Sequence, residues 1–134
     1  MQYQGAQPVE TISAVTPAGS TTPSLTLFTA ATWIKLFALV ITYITQAATT
    51  PTVTITLQDA NNNILWRKTA AALTAAATST ISLGGGLPDS TAVTTAQQLG
   101  IPTDMFIPPG GKIVVSATGA NAADTVQTTT TFTV

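Results

Sequence analysis

Residues 32–45 (TWIKLFALVITYIT) constrain the fold more than any other part of the chain. Read at period two, one face carries Ile34, Leu36, Ala38, Val40, Thr42 and Ile44, and the other carries Trp33, Lys35, Phe37, Leu39, Ile41 and Tyr43. Side chains alternate across a strand, so both faces of such a strand are apolar. β-Branched and aromatic residues dominate, which favours a strand over a core helix. The run is too short for a membrane helix and contains Lys35. The expectation is a central strand buried on both sides. One face meets an opposing sheet, and the other needs a second cover, either the N-terminal segment or a neighbouring subunit.

The remainder punctuates into further strands. Residues 24–29 alternate and lead into the apolar run. Thr52, Thr54, Thr56 and Gln58 alternate with Val53, Ile55 and Leu57, which point inward. Asp59 to Asn63 then forms a turn, because Asn and Asp tolerate left-handed backbone, and residues 64–68 return. Residues 70–77 read as loop or weak strand, leading into a strand at 79–83. A glycine run at 84–86 opens a long connection to Asp104, in which 91–99 are expected to form a helical turn. Pro108 to Gly111 is a turn, 112–118 a strand with Ile113 and Val115 on one face, 119–121 a turn, and 124–134 the closing strand. Residues 1–24 carry Pro8, Pro17 and Pro23 among Gly, Ser and Thr, and read as an extended N-terminal arm with a short strand at 10–15. The expected fold is all-β, a single-domain β-sandwich of residues 25–134, jelly-roll-like, with the arm at 1–24.

Charge excludes several functions. Only 7% of the 134 residues are charged, against about a quarter in an ordinary soluble domain. Such a surface has little electrostatic resistance to association, so much of it is expected to be covered by a partner or by copies of itself. Four dispersed cations do not serve nucleic-acid binding. There is no cysteine for disulfide or thiolate chemistry and no histidine for general-base or metal work. The N-terminus lacks the basic and apolar regions of a signal peptide, so the chain is expected to be made in a cytoplasm, neither exported nor membrane-bound.

No catalytic or cofactor motif emerges. The glycines at 84–86 lack the basic residue and spacing of a phosphate loop. Asp59, Asn61 and Asn63 open like a calcium loop, but Leu65 and Ala70 stand where that loop needs Gly and Glu. Glu10, Asp59, Asp89, Asp104 and Asp124 could supply a carboxylate pair, yet each aspartate lies in an expected turn. The expectation is therefore no enzyme, no metal and no cofactor. The candidate surfaces are a self-association interface of Trp33, Phe37, Leu39, Ile41 and Tyr43, and partner contacts through Tyr3, Pro8, Pro17, Trp66, Arg67 and Lys68. Arg67 and Lys68 hold half of the cations, so they are the natural contacts for an acidic partner.

From Trp33 onward the chain resembles small head proteins of tailed bacteriophages. The resemblance lies in residues 52–66 (TVTITLQDANNNILW), a strand, an Asp/Asn turn and a strand ending on Trp66. It continues in 107–119 (IPPGGKIVVSATG), a Pro-Gly turn feeding a strand, and in 123–126 (ADTV), which opens the closing strand. What it implies is a jelly-roll-like capsid decoration, or cement, protein. Such a protein sits as a dimer or trimer on the exterior of the virion and clamps subunits of the phage major capsid protein, after synthesis in the bacterial host's cytoplasm. Neck, tail or fibre-associated proteins share the same signals, and a carbohydrate-binding β-sandwich module using Trp66 is a further reading.

Overall fold

The computed structural model describes residues 10–17, 22, 24–46, 48–90 and 95–133. Ten strands are present: β1 (Glu10–Pro17), β2 (Ser24–Thr29), β3 (Ile34–Ile44), β4 (Thr52–Gln58), β5 (Ile64–Thr69), β6 (Thr78–Gly85), β7 (Ala96–Ile101), β8 (Phe106–Ile107), β9 (Lys112–Thr118) and β10 (Thr125–Thr133). They form two sheets, ordered β1-β10-β3-β6-β7, with β8 also on β3, and β2-β9-β4-β5.

The connectivity is that of a jelly roll. β1 pairs β10, β2 pairs β9, β3 pairs β6 and β4 pairs β5, all antiparallel. The chain is thus one long nested hairpin. Rolling it up brings β10 against β3 and β9 against β4, which closes the two sheets. The inner faces meet in a core built from Leu36, Leu39, Ile41 and Tyr43 of β3, Val53, Ile55 and Leu57 of β4, Ile81 and Leu83 of β6, and Ile113 and Val115 of β9.

β3 is not the doubly buried strand that period two implies. Between Leu36 and Ala38 its pairing with β10 slips by one residue, because Phe37 is an extra residue with no partner. This bulge shifts the alternation by one residue. Ile34 and Leu36 point inward before it, and Leu39, Ile41 and Tyr43 point inward after it. Apolar residues occupy both parities because the strand changes phase. Leu39, Ile41 and Tyr43, expected on a self-association interface, are enclosed between the sheets with no exposed surface.

The second departure is β7. The expected helical turn at 91–99 does not extend over its last residues, since Ala96 to Leu99 belong to a strand parallel to β6 (residues 91–94 lie outside the described residues). Leu99 and Ile101 enter the core, and the buried Gln97 carboxamide bonds both N–H and C=O of Ala71 at 2.9 and 3.0 Å. Gly100 is required here: a β-carbon would sit 2.0 Å from the Leu87 carbonyl oxygen. Within the expected arm, residues 10–17 form β1 at the outer edge of the larger sheet.

Candidate functional site

The strand registers place one end of every strand at a common pole. β1 begins there at Glu10, opposite Phe132, and β3 begins there at Ile34, opposite Ile107. β4 ends there at Gln58, where β5 and β9 begin, and Thr29 of β2 pairs Lys112 at the same level. Hydrogen bonds between Ala30 and the 108–111 turn extend the β2–β9 pairing at this end.

Large apolar side chains are exposed mainly at this pole. Trp33, Ile64, Leu65, Leu87 and Phe106 all lie there, with exposures from 43% for Leu87 to 61% for Trp33. Among the described residues the other exposed large hydrophobic side chain is Ile44, at the opposite end of β3. That opposite pole is built differently. Its loops are rich in Ala and Thr and are tied inward. Buried Asp124 accepts from the backbone N–H of Gln46 and Asn121 at 2.7 and 3.0 Å and from the Tyr43 hydroxyl at 3.2 Å. Burial and the neighbouring carboxylate push the Tyr43 phenol far above its ordinary pKa. Thr45 Oγ1 likewise bonds backbone of Thr74 and Ala77.

At the apolar pole Lys35 is ion-paired with Asp104, while Asp59 and Lys112, of opposite sign, are each hydrogen-bonded within or to the 59–63 turn. Lys35 Nζ lies 2.9 Å from Asp104 Oδ1 and 5.7 and 5.8 Å from the ring centroids of Phe37 and Phe106. This cation sits between two aromatic rings and a carboxylate, so little of its charge is left for a partner. Lys68 Nζ meets Asp89 Oδ2 at 2.7 Å, while Asp89 Oδ1 accepts the Gly100 N–H at 2.8 Å. Those contacts hold the Asp89 carboxyl below its usual pKa. Asp59 folds its own turn, accepting the backbone N–H of Asn61 and Asn63 at 2.8 Å and the Asn63 side-chain amide, and its pKa is lowered by them. Asn62 has a φ of 67°, the left-handed geometry expected of this turn. Lys112 donates to Asn62. Arg67, exposed on β5, has no ion pair or hydrogen bond among the described residues.

The residues singled out from sequence therefore separate. Trp33 is exposed at the apolar pole, and Phe37, the bulge residue, is half-buried beside Lys35. Trp66 packs against the core and Lys68 is engaged, so of the paired cations at 67 and 68 only Arg67 faces solvent without a partner. Pro17 ends β1, while Tyr3 and Pro8 lie outside the described residues. Ile64, Leu65, Leu87 and Phe106 were missed. The signal that finds them is an apolar residue beside a turn rather than within an alternating run.

Among the described residues no three potential metal ligands cluster, and no helix is long and apolar enough to cross a membrane. An open groove of about 320 Å³ lies along β6 and β7, lined by Thr80, Ser82, Ser90, Ala96, Gln97 and Gln98, none of them titratable.

No protein-family model matches the chain, and no curated protein sequence does. Solved structures with a similar arrangement include VP2 of infectious bursal disease virus in a subviral particle, 14% identical, with a TM-score of 0.37 over 96% of this chain and 32% of that one. The Gx strain of the same virus gives 14% identity and a TM-score of 0.38, over 92% of this chain and 30% of that one. T=1 particles derived from the virus give 15% and 0.35, over 98% and 40%. The chain spans 30 to 40% of the length of these viral chains. No residue correspondence follows from likeness this distant.

Proposed function

We propose that this protein is a structural component of a virion, a decoration or cement protein that binds the outside of a phage capsid as a homo-oligomer and stabilises contacts between major capsid protein subunits. The observation that carries this reading is the apolar pole on a sandwich whose lysines and aspartates are already engaged. Five large apolar side chains gathered at one end are a surface made to be covered. Its charges balance, with Lys35 paired to Asp104 and Lys112 set against Asp59 in sign, so that end offers little net repulsion between copies. The pole serves self-association, taking over from the β3 face on which Leu39, Ile41 and Tyr43 were expected to act. Many modest contacts repeated over a lattice then stiffen a shell by avidity.

Quantitative mass spectrometry of purified parent particles tests this. Hundreds of copies in a simple ratio to the major capsid protein are expected. A dozen or fewer would move the protein to neck, tail or fibres, and absence from the particle would end the virion reading.

A further inference from the structure

β7 forms one edge of the larger sheet, and an edge strand is a ready template for pairing with another chain. The hazard is acute where only 7% of residues are charged, because charge is a common deterrent at edges. The register fixes which backbone groups are at stake. β6 and β7 run parallel, and in such a pair every second residue of a strand turns both its N–H and its C=O to the neighbour. Bonds from the Thr80 N–H to the Thr95 C=O and from the Gly86 N–H to the Ile101 C=O give that part to positions 95, 97, 99 and 101. Gln98 and Gly100 therefore direct their backbone groups outward, away from β6.

All four of those outward groups are taken. The connection leaving β6 runs back along the outer edge of β7 through residues 86–90. Ser90 and Gln98 exchange two backbone bonds, at 2.7 and 2.8 Å, in antiparallel fashion. In that register Pro88 would face Gly100, but proline has no N–H to give. Side chains complete the ladder instead. Asp89 Oδ1 accepts the Gly100 N–H at 2.8 Å, and Lys68 Nζ donates to the Gly100 C=O at 3.4 Å. The same Nζ holds Asp89 Oδ2 at 2.7 Å, and Gln98 Nε2 donates to the Pro88 carbonyl at 2.9 Å. Lys68 belongs to β5, at the edge of the smaller sheet, so the strap is fastened from the opposite layer.

We infer that residues 86–90 are an edge guard, latched by Asp89 and Lys68, which keeps a second copy from adding to the larger sheet through β7. The guard goes beyond the capsid reading and does not depend on it. It confines association of copies to other surfaces, and it turns a connection between parallel strands into a block on strand addition.

Native-state amide hydrogen exchange on the full chain tests the latch. Asp89→Ala is expected to speed exchange at Gly100, and at Ser90 and Gln98 together with it, by about tenfold or more, with Ile55 and Ile113 in the core unchanged. Asp89→Asn keeps an acceptor but loses the charge, and should fall between. Lys68→Met should act as Asp89→Ala does, and it carries the same test if Asp89→Ala does not fold. Faster exchange confined to Gly100, or wild-type exchange at all three amides in Lys68→Met, would overturn the latch. Sedimentation velocity then tests the guard in protein that also carries Trp33→Ser and Phe106→Ser, so that the pole does not contribute. Opening the latch there should bring on association at concentrations at least about tenfold lower, with the Gln98 and Gly100 amides regaining protection as a strand of the second copy covers them. No added association, or association that leaves those two amides unprotected, would overturn the guard.

Discussion

Asp124 ties loops of the pole opposite the apolar one to the core. Its two carboxylate oxygens take up two part-buried backbone N–H groups from different loops and one buried phenol. Asp124→Ala would leave the buried Tyr43 hydroxyl without this acceptor and release the two loop N–H groups. The expected loss is about 3 kcal/mol, read from urea unfolding. Tyr43 gives a pH signature from the same cluster. Its phenol is raised above its ordinary value of 10.0, chiefly by burial and next by the Asp124 charge. Above pH about 10 the unfolded chain sheds this proton while the folded chain keeps it, so stability falls as pH rises there and is unaffected by this group below. Unfolding midpoints followed between about pH 9 and 11 should show the decline, and Tyr43→Phe should make it shallower. The aspartate turns were legible in the sequence, since Asp59 bonds residues two and four positions away. The Tyr43–Asp124 pair was not, because its members lie 81 residues apart and meet only through the pairing of β3 with β10.

At the scale of elements, alternation alone located β2, β4 and β9 with the bounds observed. β4 and β9 pair with each other without a register shift, while β2 skips Leu27 in its pairing with β9. The two errors have definite causes. Period two cannot reveal a bulge when residues of both parities are apolar, and in β3 Phe37, Ala38 and Leu39 hide the change of phase. In β7, Ala96, Gln97 and Gln98 have no strand preference of their own. Pairing with β6, the Gln97 bridge to Ala71 and the tight approach at Gly100 make the strand. The phase change is testable with neighbouring residues. Ile41→Ala should cost about 2–5 kcal/mol, as for a buried side chain. Thr42→Ala, on the outer face, should stay within about 0.5 kcal/mol. Strict alternation from Ile34 predicts the reverse, with Thr42 inward. Chemical denaturation of the two variants distinguishes these directly.

At the scale of the whole molecule, the nested hairpin joins residues far apart in sequence, with Glu10 against Phe132 as its outermost pair. The same nesting makes the two poles. Every second connection falls at the same end, so the chain can keep small, tied loops at one pole and exposed apolar side chains at the other. Sequence reading located Trp33 as an interface residue but not the cluster around it, since Trp33, Leu65, Leu87 and Phe106 become neighbours of one pole only through the strand registers. The energetics of that pole are marginal by design of size. A large apolar side chain buries roughly 150–250 Å², so five about half-exposed ones offer on the order of 500 Å² per copy. Two copies together approach the roughly 1,000 Å² below which specific association is not expected. Ordering and loss of free motion then cancel much of the gain, which leaves self-association in the micromolar range or weaker, of the order of −8 kcal/mol. Trp33→Ser with Phe106→Ser removes the two exposed aromatic residues of the pole while leaving the buried core intact. Sedimentation velocity across a concentration series should show the wild type shifting to a dimer or trimer and the double variant remaining monomeric at concentrations at least about tenfold higher, as the loss of about 1.4 kcal/mol or more requires. An unchanged concentration dependence would mean that copies meet elsewhere, and that the apolar pole is turned toward the capsid instead.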